Sequence, residues 1–136
     1  MQLKKMTFEA FKKLLLYRSV VEWNKKENYI VLDNGIKITV KMTERECCAY
    51  ASGEFENVKL EAVITDVTEP KYSVWNDGDT YGCDTVVKML HNQNLICKVN
   101  ANADAGNDGY YYSVASFIVT YNDTDFSVYL VGSDDK

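Results

Sequence analysis

The residues most able to do chemistry crowd into one short stretch, Thr43-Glu44-Arg45-Glu46-Cys47-Cys48-Ala49-Tyr50-Ala51-Ser52-Gly53-Glu54-Phe55. Two carboxylates and an arginine run directly into adjacent thiols. Thiols serve as metal ligands or as nucleophiles, and both uses set conditions. Structural zinc sites space their cysteines by two to four residues, so a metal here would need Cys83, Cys97 or His91 to join the pair. A nucleophilic cysteine needs a base and a lowered pKa. His91 is the single histidine, and Glu44 and Glu46 would raise the thiol pKa rather than lower it. The expectation is therefore a sharp turn with one cysteine buried as a small apolar residue and the other packed under a loop. Adjacent cysteines cannot easily bridge each other. Cys83 and Cys97 flank an expected hairpin and could face one another, but free thiols suit the compartment argued below.

Glu44, Glu46, Glu54, Asp66 and Glu69 could in principle hold a hard cation or exchange protons. Asp77-Gly78-Asp79 has a superficial likeness to a calcium loop but lacks the ligand run that ends in a glutamate. Solvated acidic loops are the simpler account, and neither a metal nor a cofactor is expected. The aromatics point elsewhere. Tyr72, Trp75 and Tyr81 fall in a stretch rich in turn formers, and Tyr110, Tyr111 and Tyr112 follow an Asn/Asp/Gly loop. Exposed Tyr and Trp beside Asn and Asp are the chemistry of a recognition surface. The candidate binding residues are Trp75, Tyr81, Tyr110 and Tyr111, joined by Glu46, Cys48 and Tyr50. No residue is assigned a catalytic role. The competing account is that the rings fill the core and the sheet surface.

The elements that must position these residues are mostly strands. Thr7 can cap a helix over about 7–17, with Glu9 in its first turn and Phe8, Phe11, Leu14 and Leu15 on one face. Residues 19–23 and 28–32 read as strands. Asp33-Asn34-Gly35 supplies a tight hairpin turn. Ile36, Ile38, Val40 and Met42 alternate onto one inner face. A long strand is expected over 58–67, closed by Pro70, the one proline. Residues 71–82 read as the longest loop. Strands over 83–91 and 94–100 form a second hairpin, and 102–109 is another loop. Residues 110–121 read as a strand that puts Tyr111 on one face and Tyr110 and Tyr112 on the other. It returns through 122–125 into 126–131, with a polar tail over 132–136. One helix and seven or eight strands give an α+β, mainly β architecture. The expected arrangement is an antiparallel sheet forming a sandwich or partial barrel, with the N-terminal helix packed on an edge or open face.

At 136 residues the chain is one domain: a basic helix over 1–18, a β-rich body over 19–131 and a tail. That length can bury a core without disulfides or metal. No apolar run approaches a membrane span, and no signal-peptide pattern opens the chain, so the expected location is the cytoplasm. The net charge is −5 and unevenly spread. Residues 1–26 hold Lys4, Lys5, Lys12, Lys13, Arg18, Lys25 and Lys26 against Glu9 and Glu22, so a basic helix sits beside an acidic body. An acidic body argues against duplex nucleic acid as a partner, since phosphate contacts dominate that affinity. The basic helix reads as a solvated face or as a contact with the acidic body, within the chain or in a homo-oligomer.

Several short motifs carry a resemblance. Leu32-Asp33-Asn34-Gly35, Glu46-Cys47-Cys48-Ala49-Tyr50, Val63-Ile64-Thr65-Asp66-Val67 and Asp108-Gly109-Tyr110-Tyr111 together resemble a domain-of-unknown-function family of bacteria and their phages, over residues 19–121. The resemblance implies a small β-rich domain in a phage or prophage setting, within a host cytoplasm, and supplies no catalytic residues. The functional expectation is a non-enzymatic binding protein that blocks a host factor in counter-defence or sequesters a small nucleotide-like ligand. One alternative is a small cysteine- or metal-dependent enzyme using Glu46, Cys47 and Cys48 with His91. The other is a structural or assembly protein that oligomerises through its basic helix.

Overall fold

The computed structural model describes residues 3–134. Its elements are β1 (Lys4–Lys5), α1 (Phe8–Leu15), β2 (Val20–Asn24), β3 (Tyr29–Leu32), β4 (Lys37–Arg45), β5 (Ala51–Glu56), β6 (Asp66–Val67), β7 (Lys71–Asn76), β8 (Tyr81–His91), β9 (Asn94–Asp104), a 3₁₀ turn (Asn107–Gly109), β10 (Ser113–Tyr121) and β11 (Thr124–Gly132). Among the described residues the strands form two sheets, one ordered β1-β11-β10-β4-β3-β2 and the other β5-β9-β8-β6, with β7 also on β8. The fold is mainly β, a two-sheet sandwich with one helix and no closed barrel. All pairings are antiparallel except that of β1 with β11.

Alternation drives the packing. Ile36, Ile38 and Val40 are buried, and Met42 is half-buried against them. Phe117, Val119, Val128 and Leu130 meet Val87, Met89, Cys97 and Val99 from the second sheet in one core. The helix starts where Thr7 accepts a hydrogen bond from the Ala10 N–H at 3.1 Å. It lies against β11 of one sheet and β6 of the other, closing one open side of the sandwich. Phe11 and Leu15 are fully buried there, and Phe11 stacks on Phe117 with ring centroids 4.5 Å apart. Burying one such side chain is worth about 1.5–3 kcal/mol. The basic helix also meets the acidic body within the chain: Lys12 pairs with Asp66 at 3.2 Å, and Arg18 with Asp33 at 3.7 Å.

Five local expectations are corrected. The strand expected over 58–67 reduces to Asp66–Val67, because Asn57 and Glu61 take positive φ of 54° and 70° and break the run. The loop expected over 71–82 is instead β7, a tight turn and the start of β8. The Asn76 and Asp77 carbonyl and carboxylate oxygens accept from the following amides and fold the turn onto itself. Tyr110, Tyr111 and Tyr112 lie outside β10, which begins at Ser113, so they do not alternate across a sheet. Cys83 and Cys97 do not face each other. Cys97 pairs with Met89 and Cys83 with Ala103, which separates them by roughly 20 Å along the hairpin. The polar tail expected over 132–136 begins inside β11, and its residues 135 and 136 lie outside the described residues.

Candidate functional site

The sandwich has two dissimilar ends. At one, β3 turns into β4 through Gly35 at φ +88°, β8 turns into β9, and β10 turns into β11. At the other, β4 crosses to β5 through residues 46–50, β7 turns into β8 through 77–80, and β9 crosses to β10 through 105–112. These three connections meet.

Asp104 and Ser113 hold them together. One Asp104 carboxylate oxygen accepts from both the Tyr50 N–H and the Gly106 N–H, each at 3.0 Å. The Asp104 N–H in turn donates to the Tyr50 carbonyl at 2.9 Å. The buried Ser113 hydroxyl lies 3.1 Å from the Tyr50 carbonyl and 2.8 Å from the Asp104 carbonyl. The Ala105 N–H donates to Tyr81 O at 2.9 Å, Tyr111 N–H to Ala105 O at 2.7 Å, and Glu46 N–H to Tyr112 O at 2.8 Å. Gly106 is required at its position. Its φ is +70°, and a Cβ there would lie 2.9 Å from the Ala49 nitrogen and 3.0 Å from the Tyr111 ring.

The result is an open groove of about 520 Å³ lined by Cys48, Asp79, Thr80, Asp104, Gly106, Asn107 and Asp108. Tyr50 and Tyr110 stand exposed nearby in the same connections, at 52% and 79% of full accessibility. Tyr81 is half-buried, its ring against Gly109 and its hydroxyl donating to Asp134 at 3.1 Å. Partial burial, and then the Asp134 carboxylate, push the Tyr81 pKa up.

The thiols occupy a turn of their own. Ala49 N–H donates to Glu46 O at 3.0 Å, placing Cys47 and Cys48 at its two central positions. Cys47 has φ +36°, a backbone region costly for a residue with a Cβ. Both thiols are free and exposed, and their sulfurs lie 2.6 Å apart. This corrects one expectation: neither cysteine is packed away. The hydrogen bond from Cys48 holds the Cys47 thiol below its usual range. The Tyr111 hydroxyl adds to this, and Arg45 contributes further. The same contacts raise Cys48 and Tyr111. The neighbouring glutamates therefore do not dominate, as the sequence alone suggested they would.

Of the seven candidate residues, the structure gathers Glu46, Cys48, Tyr50, Tyr81, Tyr110 and Tyr111 at this end. Trp75 stands apart. It faces Gly82 across the β7–β8 pair, where a Cβ would collide with its ring, and its Nε1–H donates to Asp84 at 3.1 Å. His91 ends the opposite tip of β8, on the order of 30 Å from Tyr81 at about 3.3 Å per residue. There its Nδ1 lies 2.7 Å from the Val63 carbonyl. It is not placed to serve as base for Cys48. Asp77 accepts from the Asp79 and Thr80 N–H groups at 3.0 and 2.9 Å, which draws its carboxyl below the usual range. Among the described residues no cluster of three or more His, Cys, Asp or Glu side chains is arranged to hold a metal ion, and no helix is long and apolar enough to cross a membrane. The sequence reading missed Asp104 and Ser113. Their only signal was a polar residue at each edge of an Asn/Asp/Gly stretch.

A family described as a domain of unknown function (DUF7448) matches residues 13–118, and the chain belongs to it. No curated protein and no solved structure matches the chain.

Proposed function

We propose that this member of the family is a non-catalytic binding domain whose contact surface is the end formed by residues 46–50, 77–81 and 104–112. The observation that supports this best is the exposure of Tyr50 and Tyr110 beside an open groove with three aspartates on its wall. Tyrosine offers a large contact area at low entropic cost, and anchors of this kind carry much of the energy of protein interfaces. The carboxylates of Asp79, Asp104 and Asp108 disfavour a nucleotide phosphate and favour a cationic side chain. The favoured partner is therefore a protein with a basic face. In the bacterial or phage setting that the motifs suggest, that partner is a host factor in the cytoplasm, blocked in counter-defence. The separation of His91 from Cys48 weighs against a cysteine hydrolase.

The test is affinity capture from a bacterial host lysate, with native mass spectrometry of the eluate, comparing the natural chain with Tyr50→Ala/Tyr110→Ala. Trp75 and Tyr111 are left unchanged, because the Trp75 Nε1–H donates to Asp84 and the Tyr111 N–H to Ala105 O within the fold. A protein held in stoichiometric amount by the natural chain and lost from the variant is the expected result. Equal capture by both chains, or a bound small molecule in place of a protein, would overturn the assignment.

A further inference from the structure

In extended backbone, neighbouring side chains point to opposite faces, so adjacent cysteines normally diverge. Here the turn over 46–49 turns both to one side. Their separation of 2.6 Å is closer than ordinary non-bonded packing at about 3.5–4.0 Å and short of a covalent S–S bond at about 2.05 Å. The turn itself does not require cysteine at its left-handed position; glycine or asparagine would adopt φ +36° more easily. A costly backbone conformation is thus retained with the effect of keeping two exposed sulfurs together. Tyr111, whose N–H donates to Ala105 O at 2.7 Å, stands by Cys47 and helps to lower that thiol's pKa, while Cys48 is raised. The pair is therefore asymmetric, with Cys47 the more acidic of the two thiols.

We propose that Cys47 and Cys48 are a reversible oxidation site that closes a vicinal disulfide, with Cys47 as the attacking sulfur, Cys48 as the resolving one and a hydroperoxide as oxidant. The Cys47 thiolate attacks the terminal peroxide oxygen and the O–O bond breaks. Cys47 becomes a sulfenic acid, and the departing oxygen takes up a proton as an alcohol, or as water from hydrogen peroxide. The Cys48 sulfur then attacks Cys47. The S–O bond breaks, and hydroxide leaves with the Cys48 proton as water. Two thiols lose two electrons and two protons, and the hydroperoxide is reduced. An exposed disulfide is the readily reduced kind, so a small dithiol restores the starting state. Closure would replace two thiols at the edge of the groove with a neutral ring. The reaction requires no binding partner.

The full chain is treated with one equivalent of hydrogen peroxide, unfolded, alkylated with iodoacetamide and digested. The expected peptide carries Cys47 and Cys48 with both thiols blocked and the mass of two hydrogens missing, and dithiothreitol reverses it. Cys83 and Cys97 should remain alkylatable after unfolding. Both are buried in the native fold, and burial pushes the Cys97 thiol up to about 12. Cys48→Ser should stop at a Cys47 sulfenic acid trapped by dimedone. Tyr111→Phe, which keeps the ring, should slow Cys47 alkylation at neutral pH several-fold. Sulfinic acids formed independently on each residue, a disulfide-linked dimer, or dimedone trapped on Cys48 in place of Cys47 would overturn the proposal.

Discussion

The two ends of the sandwich solve the same problem in opposite ways. Where β8 turns into β9, the backbone reverses through Asn92 and Gln93 at φ +46° and +72°. The turn is pinned from the side: Asn92 N–H donates to Thr65 Oγ1 at 2.8 Å, and His91 Nδ1 lies 2.7 Å from the Val63 carbonyl. At the other end, two long crossovers pass between the sheets, and their peptide groups have no ladder to join. A few backbone bonds between the connections, together with one carboxylate and one hydroxyl from Asp104 and Ser113, take them up instead. This arrangement leaves Tyr50, Tyr110 and the two thiols of the crossovers exposed. The helix belongs with the first kind of solution, since its apolar face is spent in the core. Stability and recognition are thus separated along the molecule, and substitutions should divide the same way.

The largest effect should come from the core beneath the helix. Phe11→Ala removes a fully buried ring stacked on Phe117. It should lower the unfolding free energy in urea by about 3–5 kcal/mol. Iodoacetamide reactivity of Cys47 in the folded fraction should be unchanged, because no part of the 46–49 turn touches the helix face. A matching change in thiol reactivity would show that the two ends are coupled.

A smaller loss is expected from the other end. Asp104→Ala leaves the Tyr50 and Gly106 N–H groups without their acceptor, and should cost about 1–3 kcal/mol. Amide exchange should accelerate first at Tyr50, Gly106 and Tyr111, while the β8–β9 and β10–β11 ladders keep their protection. Asp104→Asn, which retains an acceptor oxygen, should lie between the two. Uniform acceleration across both sheets would mean that the crossovers are as integral to the core as the helix is.

What the sequence disclosed follows the same division. The Thr7 cap, the Asn34-Gly35 turn and the alternation of Ile36, Ile38 and Val40 are local signals, and each appears where it was expected. The stretch over 58–67 misled because β-branched residues favour strands only where a partner strand is in reach, and Asn57 and Glu61 turn the chain away. Residues 71–76 were hidden by the Asn-Asp-Gly-Asp run after them, which marks a tight turn rather than a long loop. The site was legible as residue types but not as an arrangement. Tyr50 was visible as a candidate, yet its place beside the 104–112 connection depends on its N–H donating to the Asp104 carboxylate, 54 residues away. The facing sulfurs depend on a left-handed φ at Cys47, which no neighbouring residue type announces.

The weakest expected effect tests whether charge contributes to the helix side at all. Lys12 and Asp66 are 28% and 57% exposed, so water screens their pairing, and Lys12→Ala should cost no more than about 1 kcal/mol. Its pH dependence is more informative than its size. The hydrogen bond from Lys12, and then that from the Val67 N–H, hold the Asp66 carboxyl below its usual range. A carboxyl depressed in the folded state adds stability above its unfolded pKa of about 3.9 and loses it as pH falls through the lower folded value. The natural chain and Lys12→Ala should therefore differ at neutral pH and converge in acid, and the difference should shrink in high salt. A gap that persisted below the folded pKa of Asp66 would assign the effect to the packed methylenes of Lys12 instead of its charge. The helix side would then be held by apolar contact alone, in sharper contrast with the carboxylate-held crossovers opposite.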